Sequence, residues 1–72
     1  MKAIFAGGSF HAQTKDIINA NPTIQMTPEN GSSEKESFTL FEAKNKDGVI
    51  YALYKHKDST QKQVNEILLK FN

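Results

Sequence analysis

Asp47-Gly48 stands between two runs rich in β-branched and aromatic residues, and no other stretch constrains the fold as strongly. Asp-Gly in that setting signals a tight hairpin, because the favoured two-residue turn needs positive φ at both central positions. Gly48 meets the demand without steric cost and Asp47 tolerates it. The hairpin runs from Ser37 to Lys57, SFTLFEAKNKDGVIYALYKHK. With Lys46 opposite Val49, the alternation of side chains divides it into two faces. One face carries Phe38, Leu40, Glu42 and Lys44 with Val49, Tyr51, Leu53 and Lys55. The other carries Thr39, Phe41 and Ala43 with Ile50, Ala52, Tyr54 and His56. A bulge would scramble this assignment. Both faces hold apolar groups, so the reading needs helices on one and either a partner or a tolerated apolar patch on the other.

The flanking segments supply those parts. Lys2–Ala6 is apolar without alternation, as expected of an inner strand. Gly7-Gly8-Ser9 breaks it, and Ser9 is placed to cap a helix whose stripe is Phe10, Thr14, Ile17 and Ile18. Asn19-Ala20-Asn21-Pro22 ends that helix. Thr23–Thr27 alternates between two prolines and reads as a short edge strand. Pro28–Glu36 is polar and rich in turn formers, a loop expected to be mobile. A last helix starts at Asp58 or Ser59, with Asp58 and Gln61 at capping-box spacing, and buries Val64, Ile67, Leu68 and Phe71. The expected fold is one small α+β domain over residues 1–72, in the order β-α-β-β-β-α, with both helices on one face of the sheet.

Composition narrows the function classes. At 72 residues the chain is near the lower limit for a self-sustaining core. It has no cysteine, which rules out disulfide staples and thiolate metal sites, and its two histidines fall short of a zinc ligand set. A small unstapled chain often gains stability by pairing, so a homodimer is expected. The net charge of +1 imposes no general affinity for nucleic acid or membrane. Residues 29–42 hold four glutamates against one lysine, whereas residues 44–62 hold five lysines against two aspartates. Arginine is absent, and with it the fork that reads guanine edges or clamps phosphate. No secretory signal or membrane-length apolar run is visible, giving a cytoplasmic expectation.

Three stretches carry candidate chemistry. Gly7, Gly8 and Ser9, between a strand and a helix start, could cradle an anion with free N–H groups. The nine residues KAIFAGGSF resemble the opening of nucleotidyltransferases related to phosphopantetheine adenylyltransferase. That motif runs on through Asp-Pro to Gly-His, whereas His11-Ala12-Gln13 follows here and no Gly-His appears. Second, the order from Phe10 onward is similar to double-stranded-RNA-binding domains, which set lysines at the start of the last helix against phosphates. The resemblance implies nucleic-acid contacts through Lys44, Lys55, Lys57 and Lys62, although Thr60-Gln61 stands where that family has a basic run. Third, Phe41 and Tyr54 face each other beside Ile50, a surface suited to anchoring a protein partner.

No nucleophile–base–acid set stands out, and no catalytic residue, metal or cofactor is expected. The chain reads as a non-enzymatic inhibitor or adaptor that contacts another macromolecule through Phe41, Ile50 and Tyr54. Its size and composition suit the small proteins of phages and mobile elements. RNA binding through the lysines is the alternative.

Overall fold

Two strands joined at Asp47-Gly48 dominate the architecture, in a computed structural model that describes residues 1–28 and 34–71. Strand β4 (Glu36–Lys46) runs antiparallel to β5 (Val49–His56), with Lys46 opposite Val49. Both turn residues have positive φ, 53° at Asp47 and 82° at Gly48, and Asn45 Oδ1 accepts the Gly48 N–H at 3.2 Å. The regular register reaches Glu42 opposite Leu53 and then breaks. Leu40 pairs with Tyr54, so Phe41 is an extra residue in a β-bulge. The bulge brings Phe38 and Leu40 onto the face of Tyr54 and His56, and moves Phe41 to the opposite face. The expected Phe41–Tyr54 pair therefore does not exist.

β1 (Lys2–Ala6) is an inner strand, parallel to β5, with Ala3 beside Ala52 and Phe5 beside Tyr54. Strand β3 (Thr23–Met26) forms one edge against β4. The expected first helix is replaced by a 3-10 turn at Gly8–Phe10 and a strand β2 (Thr14–Asp16). Ala12, at φ 65°, turns the chain back so that β2 pairs antiparallel with β1. The helical stripe was thin, one aromatic and two isoleucines around a β-branched threonine, and so short a helix is marginal without packing. Doubling back satisfies the otherwise open edge of β1: Phe5 N–H donates to Gln13 O at 3.2 Å and Ala12 N–H to Phe5 O at 2.8 Å. Phe10 and Ile17 still reach the core, from a turn and a strand end.

The sheet has the mixed order β2-β1-β5-β4-β3 and curls into a half-barrel. The β-α-β-β-β-α order with two helices on one face is thus overturned; the chain is mostly sheet with one short helix. Residues 17–22 connect the two edge strands. They pass over the inner face, where Ile17 and Ala20 pack on the core. Inside the curl lie Ala3, Phe5, Phe38, Ala52 and Tyr54, all fully buried, with Ile17, Ala20, Ile24 and Leu40 against them. Tyr54 Oη donates to Asn21 O at 2.6 Å, so a core strand holds the crossing segment.

α1 (Gln61–Leu69) covers the outer face, as its stripe implied. Ile67 is buried against Ile4, Ala6 and Leu53, with Val64, Leu68, Phe71, Phe41 and Tyr51 around them. Its cap is Thr60 rather than Asp58 or Ser59. Thr60 accepts the Gln63 N–H at 3.2 Å while Gln63 accepts the Thr60 N–H at 3.0 Å. Asp58 and Ser59 are taken by a turn: their N–H groups donate to His56 Nδ1 and His56 O. The expected mobile loop at 28–36 falls largely on residues 29–33, outside the described residues, and Glu36 already belongs to β4.

Candidate functional site

The turn after β1 is where conformational demands concentrate. Gly7 and Gly8 both have positive φ, 82° and 69°. A Cβ on Gly7 would lie 2.6 Å from Ser59 Cβ, ahead of α1. A Cβ on Gly8 would lie 2.7 Å from His56 Cδ2 and collide with Glu36 Oε1. Only glycine lets this turn sit against β4, β5 and the start of α1.

One amide of the turn is taken by a carboxylate of the chain itself, that of Glu36. Ser9 N–H donates to Glu36 Oε1 at 2.9 Å. The Ser9 side chain and then its backbone N–H hold the Glu36 carboxyl below the ordinary glutamate range; partial burial opposes them and the nearby His56 ring assists. Gly7, Gly8 and Ser9 therefore form an internal latch between the turn and the start of β4. Ser9 caps no long helix.

Two histidines complete the latch in parallel fashion. His11 Nδ1 accepts the Gly7 N–H at 2.8 Å, and its Nε2 faces Glu66 Oε2 at 2.9 Å. His56 Nδ1 accepts the Asp58 N–H at 3.0 Å, and its Nε2 lies 3.5 Å from Glu36 Oε1. Accepting at Nδ1 places the proton of each neutral ring on Nε2, toward a carboxylate. Both Nδ1 atoms are thereby taken by backbone N–H groups, and both Nε2 atoms face a carboxylate. Among the described residues no group of three or more His, Cys, Asp or Glu could hold a metal ion.

Because the folded-state value of Glu36 is depressed, its contribution to stability is present above the unfolded-state range and is lost as pH falls through the folded value. Glu36→Gln should therefore be less stable than the wild type at neutral pH, with a gap that closes in acid. Urea unfolding at several pH values checks this; a gap independent of pH would contradict the latch.

The expected partner surface is dispersed. Tyr54 is fully buried inside the curl, Phe41 packs under α1, and Ile50 alone stands exposed, 47% accessible near the hairpin tip. The lysines fare differently. Lys55 and Lys57 line an open groove of about 160 Å³ with Thr39, Thr60 and Gln61 at the start of α1, and Lys62 follows on the helix. Lys44 shares the outer face with Lys55 but lies 3.5 Å from Glu42. A second hollow, about 180 Å³, lies at the other end of α1 between Thr14, Tyr51 and Phe71. Lys46 Nζ donates there to Lys70 O at 2.7 Å.

Glu36, Glu66 and the paired roles of the histidines had no signal in the sequence. Glu36 meets Ser9 across 27 residues and Glu66 meets His11 across 55. Among the described residues no helix is long and apolar enough to cross a membrane. The chain matches no protein-family model, and no curated protein or solved structure shows significant similarity to it.

Proposed function

We propose that the chain is a non-enzymatic, cytoplasmic binding protein that acts as an inhibitor or adaptor by docking on another protein. The observation that supports this reading is where its exposed apolar groups lie. β1 and β5 run parallel with Lys2 beside Tyr51, which sets Met1 beside Ile50. Ile17 N–H donates to Met1 O at 3.0 Å, so Ile18 follows at the same end of the sheet. α1 finishes there too, with the Phe71 and Tyr51 rings 5.1 Å apart. Ile18 is 93% accessible, Leu69 67%, Ile50 47% and Met1 42%. The large apolar side chains left in water thus gather at one end.

These side chains are carried as knobs on four separate segments of the chain. Such knobs suit pockets on a partner with an apolar surface, and their combined area is small for a stable pairing of like with like. Photo-crosslinkers placed at Ile18 and Ile50 should capture one defined protein, whereas a crosslinker at Lys57 should not. The double variant Ile18→Asp/Ile50→Asp, still folded, should weaken that complex at least roughly thirtyfold, with little dependence on salt.

The groove at the start of α1 supports RNA binding as a second reading, since Lys55 and Lys57 line it and Lys62 follows on the helix. Under that reading duplex-RNA affinity would fall steeply with salt, and each Lys→Ala change would flatten the slope by about one. Salt-sensitive RNA binding, together with no adduct at Ile18 or Ile50, would overturn the protein-docking proposal.

A further inference from the structure

The two edges of the sheet are built differently. β2 carries Lys15 and Asp16, with Asp16 paired to Lys2 at 2.8 Å. Charged residues on a short edge strand are a common guard against pairing with another sheet. β3 reads Thr23-Ile-Gln-Met26 and carries no charge.

Its backbone polarity follows from the ladder. Leu40 N–H donates to Pro22 O at 2.9 Å, which makes Pro22–Leu40 a hydrogen-bonded position. Alternation then turns the amides of Ile24 and Met26 toward Phe38 and Glu36, and those of Thr23 and Gln25 outward. The donor that Pro22 lacks would have faced β4, so this proline does not blunt the outer edge. Among the described residues no backbone group bonds to that edge.

We propose that β3 is a self-recognition edge: two copies pair β3 antiparallel about a twofold axis at Gln25, joining two five-stranded sheets into one. The register is self-complementary. Gln25 exchanges two backbone hydrogen bonds with its counterpart. On the inner face Ile24 stands opposite the partner copy's Met26, in the closer, non-hydrogen-bonded spacing where side chains pack best. Ile24 and Met26 already lie half-buried against the Phe38 cluster, so the pairing extends an existing core. On the outer face the two Gln25 side chains meet with no charge to repel them. Any other twofold register on this strand loses either the outward hydrogen bonds or the Ile–Met contact. The occupant that fits is a second copy of this chain, and the inference stands apart from the docking end described above, which lies on other strands.

Four residues pair too little surface for an obligate dimer, so association is weak and concentration-dependent. Sedimentation of the full chain, from tens of micromolar to millimolar, should show the mass rising from 8.1 kDa toward twice that value. Gln25→Pro deletes the outward donor at an edge position that accommodates proline, and Gln25→Lys sets like charges across the axis. Each should raise the dissociation constant about tenfold or more without lowering the monomer's helix and sheet content. Gln25→Lys keeps the test open if the proline variant fails to fold. Ile50→Asp should leave the dimer unchanged. A monomer throughout the range, a dimer indifferent to both Gln25 changes, or a dimer abolished by Ile50→Asp would overturn the proposal.

Discussion

Phe38→Ala is expected to cost about 3–5 kcal/mol, the usual range for deleting a fully enclosed phenylalanine. Phe38 has no accessible surface. Its ring centroid lies 4.8 Å from that of Phe5, 5.3 Å from His56 and 6.1 Å from Phe10. One side chain therefore ties β4 to β1, to β5 and to the glycine turn. A domain of this length is expected to have a total stability of about 4–11 kcal/mol, so the variant should be partly unfolded at physiological temperature. Tm should fall by about 15–30 °C. Phe41→Ala should cost less, because Phe41 is only partly buried under α1. A larger loss at Phe41 than at Phe38 would mean that the bulge is misplaced and the hairpin keeps its regular register.

Gly8→Ala is the second large effect, at about 2–4 kcal/mol. Positive φ in an alanine contributes about 1–2 kcal/mol of that. The remainder comes from a Cβ driven into Glu36 Oε1 and the His56 ring, which must shift and give up the Ser9 N–H. Gly48→Ala provides the control. Its φ of 82° is as demanding, but a Cβ there meets nothing within 4 Å. It should cost only the backbone part. Equal losses at Gly8 and Gly48 in denaturant titrations would remove the evidence for a tightly packed latch.

Much of this fold was legible wherever the signal was local. Asp47-Gly48 fixed the hairpin, the unalternating run at Lys2–Ala6 marked an inner strand, and Val64, Ile67, Leu68 and Phe71 marked the buried side of α1. The failures share one cause, competition from partners distant in sequence. Phe10, Ile17 and Ile18 satisfy helical spacing, yet the open edge of β1 recruits this segment as a strand and leaves Ile18 in solvent. Nothing near Phe41 announces a bulge. It follows from burying Phe38 and Leu40 with Tyr54 on one side while Phe41 and Leu53 serve α1 on the other. The glycine turn was read as a possible cradle for an outside anion, but its Ser9 amide is taken by a carboxylate of the same chain. That the carboxylate is Glu36 could be learned only once β4 was set beside the turn.

That self-occupied turn is the centre of the account, since it converts the most ligand-like stretch of the chain into structure and leaves the surface to carry function. The most direct measurement is an NMR titration of the Ser9 amide. Its resonance should follow Glu36 through a single inflection below the ordinary glutamate range. The inflection should vanish in Glu36→Gln, and millimolar inorganic phosphate at neutral pH should leave the wild-type resonance in place. A Ser9 amide that ignores Glu36 and moves on adding phosphate would contradict the account and return the turn to the list of open anion sites.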